Sequence, residues 1–292
     1  MGTNLGGALA VLNGVIGDHL HATENGLAIE MAVVRGVPGP RVVIFLHGLM
    51  CTEDVWAFPD GAALSDGESL PPRTDYGALL ERDLGLAPLY VRFNTGRRVA
   101  DNGAALARLL DELTARHPEI REIRLVGFSM GGLVVRSATH VASEAEMPWL
   151  GLVTQAFYVG TPHLGSPWER AGRWLVALLR RVGDPYAELV AELGDVRSRG
   201  IKDLGDPAHP IPLLPEIRHH FIAGFVAPRL AERFGDALVP LASGTNGAVG
   251  DPKAPSPTHV KVLPGLAHMT LAHHPAVYAQ LREWCAAARC DA

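Results

Sequence analysis

The sequence predicts an α/β protein, a doubly wound and mostly parallel sheet with helices on both faces and a helical cap insertion. Three observations predict it. From Arg41 to the C-terminus, short β-branched or apolar runs alternate with longer Ala/Leu-rich segments, as when parallel strands are joined by helices packed on the sheet. The 292 residues, 48% of them hydrophobic, suffice to bury one large core. Between residues 166 and 215 the alternation stops, which divides the chain into a core (1–165 and 216–292) and a cap or lid insertion (166–215).

In order along the chain, Leu27 to Val34 reads as an early edge strand, followed by strands Val42 to Leu46 and Leu89 to Phe93. A helix over Val99 to Arg116 places Leu106, Leu109, Leu110 and Leu113 on one face. Strand Ile123 to Gly127, helix Met130 to Ala142 and strand Val153 to Gly160 come next. The insertion offers helices around Arg170 to Arg181 and Asp184 to Leu193, made apolar on part of their surface by Trp168, Trp174, Leu175, Val176, Leu178 and Leu179. A structural helix layer and a substrate-covering lid both fit that amphipathic pattern. Strands His220 to Gly224 and Val260 to Leu263 and a helix from Pro275 to Ala288 complete the core. The first forty residues, including Leu12 to Asp18, carry no interpretable motif.

A net charge of −5 supplies no broad cationic face for phosphate neutralisation, which argues against nucleic acid as a partner. Cys51, Cys285 and Cys290 cannot form a complete disulfide framework. The first thirty-four residues hold no Lys or Arg, so they lack the charged start of a secretory signal. Every apolar run falls short of the ~20 residues that cross a bilayer as a helix. A cytoplasmic protein with no transmembrane segment is expected; oligomeric state is not encoded in any pattern found.

The strongest local signal is Gly127-Phe128-Ser129-Met130-Gly131-Gly132, which directly follows a strand and opens a helix. Serine on so tight a turn takes strained backbone angles, and the flanking glycines remove side chains that would collide across it. The hydroxyl then stands above the sheet, where the helix start aims amide N–H groups and a positive dipole end at a developing oxyanion. Glycines at a helix start can also cradle phosphate, but both G-x-x-x-x-G-K-[ST] and G-x-G-x-x-G are absent, and no cofactor is expected.

A serine hydroxyl needs a histidine base and an acid that holds the imidazole in its working tautomer. His268 follows the strand ending at Leu263, and Asp236 lies past the strand ending at Gly224, in the order Ser, acid, His. His273 and His274, just before Pro275, are weaker bases by position; Asp206 and Asp251 are backup acids in turn-forming segments. Phe45-Leu46-His47-Gly48-Leu49-Met50 ends a strand and supplies a second oxyanion donor, so the amides of Leu49 and Met130 form the expected pair. His47 and His163 are expected to shape loops, and His47, Gly48, Phe128, His163 and Leu164 to line the substrate site. Asp206, His209, His219 and His220 are close in sequence, but no metal-ligand spacing is present and adjacent strand histidines face opposite ways; no metal is expected.

With these residues in place, the chain from about Arg41 onward resembles the α/β-hydrolase superfamily, especially bacterial esterases and lipases. The resemblance rests on His47-Gly48, on 127–132, on Gly-Thr-Pro-His-Leu-Gly-Ser-Pro at 160–167, on Gly-Asp-Ala-Leu-Val-Pro at 235–240, and on Ala-His-Met around His268. The 160–165 segment looks like that of lipases and inositol-deacylase-like hydrolases, in which the following region often builds a cap. It implies a carboxylic ester hydrolase acting through Ser129, Asp236 and His268 and an acyl-enzyme, on a small-molecule or lipid-like ester. An interfacial lipase, a polyester depolymerase, an acyltransferase and a non-catalytic binding protein of the same fold stay open.

Overall fold

The computed structural model describes residues 5–165, 198–205, 211–226, 235–248 and 259–287. Its centre is a seven-stranded sheet of order β1-β3-β2-β4-β5-β6-β7. The strands are β1 (Ala32–Arg35), β2 (Arg41–Leu46), β3 (Ala87–Arg92), β4 (Glu122–Phe128), β5 (Val153–Val159), β6 (Arg218–Phe225) and β7 (His259–Pro264). All neighbours pair in parallel except β1, which runs antiparallel along the outer edge of β3.

β2 explains why the core strands read as continuous apolar runs. Its side chains alternate between two cores, Val42, Ile44 and Leu46 on one face, Val43 and Phe45 on the other. The first core is closed by α1 (Leu5–Ala22), α3 (Val99–Arg116), α4 (Met130–Glu144) and the short α5 (Arg199–Gly205), through residues such as Val11, Val15, Leu106, Val134 and Ile201. The second is closed by α2 (Tyr76–Leu84) and the C-terminal helix (Pro275–Ala287), through Tyr76, Leu80, Tyr278 and Leu281.

Strands β2 to β7 and helix α3 lie where the sequence puts them. The edge strand is shorter than expected: only Ala32–Arg35 pairs, with a register break between Val33 and Arg35. Helices α1 and α2 escape the periodicity reading. α1 contains Gly6, Gly7, Gly14 and Gly17, each costing ~1 kcal/mol relative to Ala in a helix, and is held by tertiary packing instead. α2 spans nine residues and owes its start to Asp75, whose side chain accepts the Ala78 N–H. The expected cap helices between 170 and 193, with Asp206, His209, Asp251 and Cys290, lie outside the described residues. Residues 198–205, expected to belong to the insertion, pack into the core through Ile201 and Leu204. No helix among the described residues is long and apolar enough to cross a membrane.

Candidate active site

Every expected site residue lies at or beyond the C-terminal end of a strand, where parallel α/β sheets form their crevice. Ser129 follows β4, with φ 53° and ψ −121°, and is buried. A non-glycine residue in that region carries ~1–3 kcal/mol of strain. Three contacts hold it there. The Ser129 N–H donates to Val159 O at the end of β5 (2.8 Å), the Gly132 N–H turns back to Ser129 O (3.1 Å), and Gly131 passes so close to β2 that a Cβ would strike the carbonyls of Leu46 and His47.

Asp236 sits in a turn between β6 and a four-residue helix at Leu241–Gly244, with its two neighbours, Gly235 (φ 51°) and Ala237 (φ 81°), in the left-handed region. That bend lets one carboxylate oxygen accept the N–H groups of Leu238 (3.0 Å) and Val239 (2.8 Å), while the other meets His268 Nδ1 at 2.7 Å. The His268 N–H also donates to Asp236 O (3.0 Å), so main chain and side chain fix the pair together. A proton on Nδ1, shared with the carboxylate, leaves Nε2 as the basic nitrogen. The imidazole packs against the Phe128 ring (5.0 Å between centroids) and over Gly160, where a Cβ would lie 3.2 Å from His268 Cε1. Phe128 precedes Ser129 and Gly160 follows the carbonyl that holds the Ser129 amide. The imidazole therefore packs on the residue before Ser129 and beside the residue that follows the acceptor of its amide.

The loop after β2 closes another side. A Cβ on Gly48 would lie 3.1 Å from Ser129 Cβ, and Leu49 and Met50 follow, Met50 with φ 58° and its N–H bound to Thr95 Oγ1 (3.1 Å). His47 is turned into the fold. Its ring stacks on Phe93, its Nδ1 meets Gly48 O (2.9 Å), and its Nε2 accepts the Phe93 N–H (3.3 Å). Burial pulls its pKa down to about 4, so the ring is neutral and both nitrogens are engaged in holding the loop.

His163 is likewise buried and kept neutral, well below the ordinary imidazole range, by desolvation and by the Arg136 guanidinium. Arg136, on α4, donates from Nη1 to His163 Nδ1 (3.0 Å) and to Asn246 Oδ1 (3.0 Å). Ser243 adds three links: its O accepts the His163 N–H (3.2 Å), its Oγ accepts the Leu164 N–H (3.0 Å), and that hydroxyl donates to Gly165 O (2.7 Å). The serine helix, the loop after β5 and the loop bearing Asp236 are thus tied by one buried polar cluster. The sequence reading missed Arg136, Ser243, Asn246 and Thr95. Only Arg136 left a trace, two helical turns beyond Ser129 on the same face.

Leu164, in the loop after β5, is 46% exposed and Val226, just after β6, 41%, while Phe128 is fully buried. His273 Nδ1 contacts Val55 O and His274 Nδ1 accepts the Ala276 N–H, which places both in the packing around the C-terminal helix. Among the described residues no group of three or more His, Cys, Asp or Glu is arranged to hold a metal ion.

Solved structures superimpose on this arrangement over most of its length. The Bacillus licheniformis lipase BlEst2 in mature form matches with a TM-score of 0.53 at 18% identity, over 86% of this chain and 95% of that one. The chain has the α/β-hydrolase fold. Lipase 1 from Pelosinus fermentans shares the α/β-hydrolase fold at a TM-score of 0.52 and 12% identity, over 85% of this chain and 99% of that one. A carboxylesterase structure from the thaumarchaeon Nitrososphaera gargenis does so at 0.54 and 13%, over 90% and 96%. No protein-family model and no curated protein sequence matches the chain.

Proposed function

We propose that the protein is a cofactor-free serine hydrolase of carboxylic esters, with Ser129 as nucleophile, His268 as general base and Asp236 as the acid that orients it. The observation that carries this reading is the buried 2.7 Å contact between Asp236 and His268 Nδ1, with the imidazole packed on Phe128, the residue before a serine held at a strained strand-to-helix turn. His268 Nε2 takes the hydroxyl proton as Ser129 Oγ attacks the ester carbonyl, then returns it to the leaving alcohol; the same base activates the water that cleaves the acyl-enzyme. The amides of Leu49 and Met130 receive the oxyanion, and the exposed side chains of Leu164 and Val226, beyond β5 and β6, favour an apolar acyl group. The named lipases and carboxylesterases with this fold add to the case for ester substrates.

The test is turnover of p-nitrophenyl esters from two to sixteen carbons. The reading predicts hydrolysis with a preference for acyl chains longer than acetyl. Absence of turnover across the whole series, in protein that is folded by circular dichroism, would contradict it.

A further inference from the structure

Helix α1 lies outside every motif of the sequence, yet its packing converges on the loop that bears Leu49. Asn13 is fully buried: its Oδ1 accepts the Ile29 N–H (2.9 Å), and its Nδ2 donates to Leu27 O (2.8 Å) and Leu9 O (3.0 Å). Along the same helix, Gly14 and Gly17 let the backbone touch two loops at the C-terminal end of the sheet. At Gly17, Asn94 Nδ2 donates to the carbonyl (2.8 Å) while Asn94 Oδ1 would block any Cβ. At Gly14, a Cβ would overlap Met50 Cγ and lie 3.2 and 3.3 Å from Met50 Cε and Cβ. Met50 is only 4% exposed, so its side chain is packed among its neighbours. A break in α1 at Ile16 (φ −130°, ψ 18°), between the two glycines, adapts the helix to both contacts.

We infer that α1 is a positioning element for the oxyanion loop, with Gly14 against Met50 as its contact. The inference rests on the reading of Leu49 as an oxyanion donor. Leu49 is the one residue between two fixed neighbours, Gly48 against Ser129 and Met50 in a left-handed conformation with its N–H on Thr95 Oγ1. Thr95 belongs to the loop that α1 clasps through Asn94 and Gly96. Moving Met50 therefore moves the Leu49 amide, and a displacement of about 1 Å at a positioned group can cost ~10²-fold in rate. The same helix and the Gly96 loop also anchor the segment that begins at Ser198. Ser198 Oγ donates to Gly14 O (2.6 Å), the Arg199 N–H to Asp18 Oδ2 (3.1 Å) and the Gly200 N–H to Gly96 O (2.9 Å).

The experiment is a size exchange. Gly14→Ala, Met50→Ala and the double variant are compared with wild type for hydrolysis of p-nitrophenyl butyrate, for inhibition by an alkyl trifluoromethyl ketone and for Tm. Fluorophosphonate labelling of the wild type is the control. Gly14→Ala is expected to lose roughly tenfold or more in kcat with KM within about twofold, and to lose ketone affinity in parallel, since both report the oxyanion donors. Shortening Met50 makes room for the added methyl, so the double variant recovers to within about threefold of Met50→Ala. The inference is overturned by a Gly14→Ala variant with wild-type kcat, by a double variant as impaired as Gly14→Ala, or by a kcat loss that follows Tm while ketone affinity stays put. A wild type that neither turns over nor takes up the probe removes the reading of Ser129 and the inference with it; a reactive wild type with an unaffected Gly14→Ala removes the inference alone.

Discussion

Acidification should unfold this protein through its buried histidines, and the size of the effect follows from their environments. His47 and His220 are buried and neutral, held down to about 4 and about 3 by desolvation, from 6.5 when unfolded. With native pKa values below the unfolded one, the stability contributed by the neutral rings is complete above pH 6.5 and is lost as pH falls toward 4. At pH 5 an unfolded imidazole is almost fully protonated, which favours the unfolded chain by about 2 kcal/mol per histidine, or about 4 kcal/mol for the pair. His163 and His219 shift in the same direction and add to it. Against a typical stability of ~5–15 kcal/mol, that is a large fraction. Glu53 and Asp83 have lowered carboxyl values, so their contribution is lost only below their ordinary range and leaves the window from pH 7 to 5 to the histidines. Urea unfolding followed by tryptophan fluorescence at pH 8, 7, 6 and 5 measures the effect, and His220→Gln should flatten the dependence near pH 5 by about 1.4 kcal/mol per pH unit. A stability that changes by less than about 1 kcal/mol between pH 8 and 5, or that rises on acidification, would refute the reasoning.

Two further outcomes follow from the site. Asp236→Asn keeps a carbonyl for the Leu238 and Val239 amides but presents an amide N–H to His268, forcing the proton onto Nε2; kcat should fall ~10⁴-fold with little change in KM, and a loss under tenfold by ester kinetics would dissociate Asp236 from the base. Arg136→Lys should destabilise the fold by ~1–3 kcal/mol in urea unfolding, because the Lys ammonium ends one bond short of the Nη1 position that bonds both His163 and Asn246; unchanged stability would show that this cluster does not hold the helix and the two loops together.

What the sequence conveyed and what it withheld divide along physical lines. The parallel strands were readable because both faces are buried, so Val42 to Leu46 is an unbroken apolar run and Ile123 to Gly127 is interrupted only by Arg124. Ser129 was readable because a strained turn needs its glycines in fixed places. Asp236 and His268 could be named from topology, whereas their contact depends on a bend with Ala237 at φ 81° that no residue type announces. Helix α1 was hidden by its glycines, which weaken helical propensity while permitting the close approach to Met50 and Asn94. Buried polar groups were equally hidden. Arg124, 1% exposed, bonds Gln155 Oε1 (2.7 Å) across β4 and β5, and Gln155 reaches the Trp284 carbonyl (3.1 Å) in the C-terminal helix, although residues of these types are mostly exposed.

The central claim is that Ser129 is an activated nucleophile, and the most direct measurement is a fluorophosphonate reaction followed by peptide mass spectrometry on the wild type and on Ser129→Ala. The account predicts one adduct, on the peptide containing Ser129, that is absent from a Ser129→Ala variant with unchanged Tm; an adduct on another residue, or labelling that persists in the variant, would contradict it.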